Sequence, residues 1–204
     1  MTGIQRRIAF GFQRLRIMKF RLLSDCKRVY GRPDVRQPVQ LVGKGSIKFN
    51  GKVTLGWFPS PYFFNGSIYI EARGESSVIT IEDGVCISNN SFLISDGAGI
   101  SIGKDTMLGT HCEIIDSDFH DLHPERRKTG AGKAAQVIIG ENVLIGSNVK
   151  ILKGVRIGNN TVIANGAVVT RSIPENSVAF GNPARGGLGL APDSMIQLQP
   201  GVSA

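Results

Sequence analysis

The residues equipped for chemistry gather in one stretch of this 204-residue chain. The run Ile115-Asp116-Ser117-Asp118-Phe119-His120-Asp121-Leu122-His123-Pro124-Glu125-Arg126-Arg127 holds two of the three histidines and a cluster of acids. A neutral imidazole can take a proton from a reacting group near pH 7, and a carboxylate beside it can orient it. His120 and His123 are the candidates for such a base. Asp116 and Asp118 either orient it, bind a polar substrate, or are solvated loop acids. The three cysteines, Cys26, Cys86 and Cys112, form no C-x-x-C pair, which argues for a reducing compartment and against a disulfide framework. The glycine-rich stretch Gly130-Ala131-Gly132-Lys133-Ala134 is not a phosphate-binding loop, because Arg127 stands at the first glycine position and Ala134 replaces Ser/Thr.

This stretch interrupts a repeat. From residue 139 the chain divides into sixes that begin at Ile139, Ile145, Ile151, Ile157, Ile163 and Val169. Position two is Gly or small in four of the six, and position five is Val, Val, Val, Thr, Ala, Ile. The same template starts upstream at Ile81, Ile87 and Leu93, then at Ile102, Leu108 and Ile114. Three residues are inserted between Leu93 and Ile102, and a loop separates Ile114 from Ile139. A helix has no six-residue period, and a plain strand has no glycine every sixth residue. The expectation is an all-β solenoid, in which position one points to the axis, the small position two eases a corner, and position five fills beside it. A long loop inside so regular a coil is usually functional or disordered. Short β-branched runs over 46–81 extend the strand pattern towards the N-terminus. The aromatic-rich segment Gly56–Asn65 is either a buried plug or a contact surface.

These residues resemble the hexapeptide-repeat acyltransferases, over roughly 78–185. The stretch from Val169 to Arg185, ending Gly181-Asn182-Pro183-Ala184-Arg185, is similar to the terminal coil of maltose, galactoside and polysaccharide O-acetyltransferases. The resemblance implies a left-handed parallel β-helix, a homotrimer, acetyl-CoA as acyl donor lying along the coils between subunits, and no required metal. It implies an O-acetyltransferase acting on a sugar hydroxyl of a surface polysaccharide or its precursor. The branch carries a catalytic histidine in the extruded loop, usually followed by Pro. Aligning the downstream Leu and Pro places it on His120, with Asp121 in the Pro position, whereas His123-Pro124 has the dipeptide three residues later. Ser147 is the implied oxyanion and CoA contact. Asn165, Thr170, Arg171 and Arg185 match positions near the CoA chain and phosphates. Asn89, Ser91 and Asp96 match acceptor-binding positions. Gly186-Gly187-Leu188-Gly189 replaces the aliphatic and basic residues that usually follow.

Two other functions are open on this fold: N-acetylation of a nucleotide-linked amino sugar, and a non-catalytic scaffold. A zinc hydratase, known on left-handed β-helices, is disfavoured, because the spacings of nine and three between His111, His120 and His123 do not match that family's.

Charge divides the chain. Its formal net charge is +8, and residues 1–36 carry all of it, leaving 37–204 neutral. A neutral bulk argues against nucleic acid as a partner. Ile4, Ile8, Phe12, Leu15, Met18 and Leu22 recur on one face of an expected helix that ends before Gly31-Arg32-Pro33. Three parts follow: a basic amphipathic helical head at 1–36, the solenoid at 37–185 with its loop at 115–138, and a tail at 186–204. The head either caps the first coil with its apolar stripe, or through residues 1–30 meets an anionic membrane. No run is long enough to span a bilayer, and Arg14, Arg16, Lys19 and Arg21 break any signal-peptide core. The expected location is cytoplasmic, with the membrane's inner face as the alternative.

Overall fold

The structure, a computed structural model, describes residues 3–189. One helix, α1 (Gly3–Leu22), precedes a solenoid of short strands stacked into three parallel sheets. The first face runs Arg28–Tyr30, Ser46–Phe49, Val78–Ile81, Ile100–Ile102, Val137–Ile139, Arg156–Ile157. The second runs Asp34–Val35, Thr54–Leu55, Cys86–Ile87, Met107–Leu108, Leu144–Ile145, Val162–Ile163, Ser177–Phe180. The third runs Val39–Val42, Ile68–Ala72, Phe92–Ser95, Glu113–Ile115, Lys150–Ile151, Val168–Val169. Chain order visits the faces in turn, so three strands make one coil of a left-handed parallel β-helix. The solenoid's strands begin at Arg28, ahead of residue 37, and the helix ends at Leu22 rather than near residue 30. Ser24 accounts for the early stop: its Oγ donates to the Phe20 carbonyl at 2.8 Å while accepting from the Leu41 amide at 3.0 Å, turning the chain onto the third face.

The register stacks position-one residues in columns. Phe49, Ile81, Ile102, Ile139 and Ile157 align on the first face. Leu55, Ile87, Leu108, Ile145, Ile163 and Ala179 align on the second, and Ile70, Leu93, Ile114, Ile151 and Val169 on the third. All are buried and form one continuous core. Position five is inward too. Where it is polar the hydroxyl is satisfied within the solenoid, as Thr106 Oγ1 is by the Gly140 carbonyl at 2.9 Å.

Position two has a different cause from the one expected. Gly140, Gly146 and Gly158 do not take left-handed φ values. A Cβ on Gly146 would sit 2.3 Å from Asn165 Oδ1 of the next coil, and one on Gly158 would sit 2.3 Å from the Glu175 nitrogen. The bend falls on position four, where Asn142, Asn148, Gly154, Asn160 and Gly166 all have φ between 54° and 76°. Asn and Gly tolerate that region, and both are enriched there. Asn142 Nδ2 donates to Asn160 Oδ1 at 2.9 Å, and Asn160 Nδ2 to Asn176 Oδ1 at 3.0 Å, a ladder along one corner.

The helix sits on the first coil by the face opposite its apolar stripe. Phe10 packs into Phe58, Phe63 and Phe64 with ring centroids 5.2–5.8 Å apart. Gln13 is 3 % exposed and donates to the Phe63 carbonyl at 2.7 Å. Arg16 donates to the Phe64 and Gly66 carbonyls. The aromatic segment is thus the seat of α1. A cap through the apolar stripe is corrected: Ile4, Ile8, Phe12, Leu15, Met18 and Leu22 are all exposed. The far end closes with Arg185–Gly189 running antiparallel on Ser177–Phe180. Most of the expected tail, from residue 190 on, lies outside the described residues.

Candidate active site

The extruded loop leaves the third face after Ile115 and rejoins the first at Val137, so it emerges at the corner between them. It is a crossed pair of chain segments. Ser117 bridges Ala134, and His120 bridges Ala131. The Asp118 amide donates to the Lys133 carbonyl at 3.0 Å. The two segments approach so closely that a Cβ on Gly132 would lie 2.5 Å from the Phe119 nitrogen and 2.8 Å from that of His120. The glycine-rich stretch 130–134 therefore serves as the backing of His120.

Asp116 holds the base of the loop. It is fully buried, and its carboxylate accepts from Ser95 Oγ at 2.7 Å and from the amides of Asp96, Ala98 and Gly99 at 2.6, 3.0 and 2.6 Å. Those donors lie in or beside the three-residue insertion after Leu93, which folds around this carboxylate. Asp116 is thus occupied inside the protomer rather than at His120. Asp118 is the half-exposed acid. Its Oδ1 is 3.3 Å from Lys153 Nζ, and its Oδ2 is buried with no hydrogen-bond partner. Phe119, with φ of 61°, is pinned under the Arg73 guanidinium at 4.7 Å from its ring centroid. Its neighbour His120 is exposed, with no hydrogen bond to its ring among the described residues.

His123 also lies on the exposed part of the loop, where its amide donates to Asp121 at 2.8 Å. That bond, with the Arg126 ion pair at 2.8 Å, holds the Asp121 carboxyl below its usual range. His111 is a corner residue at position four, with φ of 59° and Nδ1 2.9 Å from Asn90 Nδ2. Among the described residues no three His, Cys, Asp or Glu side chains converge as a metal site would need.

A separate groove of about 590 Å³ runs along the second face. Trp57 stands at one end, Met107 and Leu144 form its exposed apolar floor, and Ser147 and Asn165 lie at the other end. The Ser147 amide donates to Asn165 Oδ1 at 2.7 Å, so that backbone donor is already engaged. Its Oγ accepts from the Thr110 amide and Thr110 Oγ1, both at 3.1 Å, which leaves the Ser147 hydroxyl proton to donate into the groove. An elongated, mostly apolar trough edged by the Ser88 and Ser147 hydroxyls fits the chain of a CoA thioester. Arg185 is exposed on the strand that closes this same face, where a phosphate can be met. Thr170 and Arg171 are exposed at the corner from which the loop emerges, away from Asn165.

Two of the residues expected to contact the acceptor, Asn89 and Ser91, face inward. Asn89 is fully buried: its Oδ1 accepts from the Trp57 amide at 2.9 Å, and its Nδ2 donates to the carbonyls of Trp57 and Pro61 at 2.9 and 2.8 Å. Ser91 is a position-five residue whose Oγ accepts from the Cys112 amide at 3.1 Å. Both are consumed by the fold, leaving nothing for a ligand. Asp96 keeps a part-exposed carboxylate 3.9 Å from Arg73. Sequence reasoning missed Gly132 and Lys153. The glycine's only signal in the sequence is a second Gly two residues after Gly130.

Residues 136–171 match the model of the bacterial transferase hexapeptide family (six repeats). The chain is 43% identical over 96 residues to a galactoside O-acetyltransferase of Lactococcus lactis subsp. lactis, covering 47% of this chain and 46% of that one. It spans about half the length of the curated relatives it matches. Among solved structures, the polysialic acid O-acetyltransferase OatWY superposes with a TM-score of 0.54 at 24% identity, covering 84% of this chain and 86% of that one. The N-acyltransferase AntD from Bacillus cereus, in complex with dTDP and 3-hydroxybutyryl-CoA, gives a TM-score of 0.55 at 19% identity, covering 86% and 87%. The likeness to these two structures is one of fold.

Proposed function

We propose that this chain is an acetyl-CoA-dependent O-acetyltransferase whose acceptor is a sugar hydroxyl of a surface polysaccharide or its precursor. The observation that carries the proposal is His120, an exposed and unbonded imidazole backed by Gly132 on a loop extruded from a hexapeptide solenoid. The relative named a galactoside O-acetyltransferase supports the class of acceptor. Acetyl-CoA supplies the activated acetyl group. The His120 imidazole takes the acceptor hydroxyl's proton as it attacks and returns it to the departing thiolate, a role worth roughly 10²–10⁴-fold. The Ser147 hydroxyl donates where negative charge develops or where the donor chain lies. Asp118, with a buried and unpaired acceptor oxygen two residues from His120, is the residue to position the imidazole.

His120 does not line the groove that holds Ser147; the loop leaves the opposite corner of the prism. A second copy bringing its loop to the groove completes the site, and a homotrimer closes that head-to-tail contact. Thiol release from acetyl-CoA, measured against a panel of saccharides and nucleotide-linked amino sugars, tests this reading. Turnover is expected with a saccharide hydroxyl, and His120→Ala is expected to abolish it while leaving the assembly intact. Turnover with amino sugars alone would move the assignment to N-transfer. A well-folded assembly inert towards every acceptor would refute the transferase.

A further inference from the structure

We propose that α1 lays its outward apolar stripe into the interface of an anionic lipid bilayer, docking the N-terminal end of the solenoid on a membrane surface. Phe10, Gln13 and Arg16 tie the helix to the aromatic segment and to main-chain carbonyls, and Ile17 faces Val35, Val39 and Leu41 at the open end of the first coil. The helix is therefore fixed without its most apolar face. That face carries Ile4, Ile8, Phe12, Leu15, Met18 and Leu22, each 56% to 88% exposed. A globular helix ordinarily buries such a stripe, so six large apolar side chains in a row mark a contact surface.

Charge complementarity selects the occupant. Arg7, Arg14 and Arg21 recur every seven residues and line one flank of the stripe, all exposed and without an ion pair among the described residues. Lys19 lies on the other edge, with a stem long enough to keep its ammonium at headgroup level. Lys27 and Arg32 are exposed at the same end of the molecule, and the chain's entire +8 lies within residues 1–36. An apolar stripe flanked by arginines, on an otherwise neutral protein, fits lipid tails beneath anionic headgroups. A protein surface would have to match both the stripe and the arginine row. No helix among the described residues is long and apolar enough to cross a membrane, so the contact is interfacial. The proposal does not depend on the proposed chemistry.

Vesicle flotation with the full chain tests it, using phosphatidylcholine vesicles with and without about 30 mol% phosphatidylglycerol. Binding is expected to the anionic vesicles alone and to weaken as salt is raised. Arg7→Gln, Arg14→Gln and Arg21→Gln together are expected to weaken it about a hundredfold, near fivefold for each charge. Ile8→Ser, Phe12→Ser and Leu15→Ser together are expected to abolish it with the oligomeric mass unchanged. Failure of the unaltered protein to float overturns the proposal. So does binding indifferent to the arginines, or an apolar-stripe variant that falls to a smaller oligomer, which would assign the stripe to a neighbouring copy.

Discussion

At the residue scale, two of the loop's acids, Asp116 and Asp118, do different work. Asp116 gathers one hydroxyl and three amides, and removing it leaves several buried donors unpaired at about 1–3 kcal/mol each. Asp116→Ala is expected to lower thermal stability by about 3 kcal/mol or more, read as a fall in melting temperature. Asp118→Asn keeps the shape and weakens the ion pair with Lys153. It is expected to lower kcat with little change in melting temperature. Ser91 shows what was legible. It stands at position five, where Val85, Thr106, Val143 and Val149 are also inward, so the hexad template itself implied its burial. Asn89 stands at position three, which normally faces out. Its burial comes from Trp57 and Pro61, about thirty residues away, and no local pattern carries that.

At the element scale, the loop depends on a close crossing of two segments. Gly132→Ala is expected to push the segment bearing Phe119 and His120 by several tenths of an ångström or more. Misplacement near 1 Å costs on the order of 10²-fold in rate. The expected result is a large loss of kcat with KM for acetyl-CoA little changed, checked by steady-state kinetics beside a melting curve. The columns of the solenoid were legible because position one repeats without exception. The corners are legible too, in the Asn and Gly of position four. The helix was legible as amphipathic but not in orientation. Phe10 looks misplaced among charges until Phe58, Phe63 and Phe64 supply its partners, and Ile17 until Val35, Val39 and Leu41 do.

At the scale of the molecule, the features proposed to act lie apart: a groove on one face, an exposed imidazole at the far corner, and a basic helix at one end. Cys86 and Cys112 report on the first of these. Cys86 lines the groove and burial pushes its thiol up, whereas Cys112 is enclosed and pushed up to about 11. Acetyl-CoA is expected to slow maleimide labelling of Cys86 severalfold and to leave Cys112 unreactive in both states, as peptide mass mapping can show. Equal labelling of Cys86 with and without the donor would place the donor elsewhere. The two ends of the solenoid carry a further consequence. Each coil is a template for the next, and a stack of parallel strands has no intrinsic length. Growth stops at one end because Arg185–Gly189 returns antiparallel on the last strand of its face. At the other it stops because α1 lies over the open end of the first coil. Stripped of its helix, the first coil becomes an unguarded edge that a like edge of a second copy can meet, while the closed far end stops the stack at two.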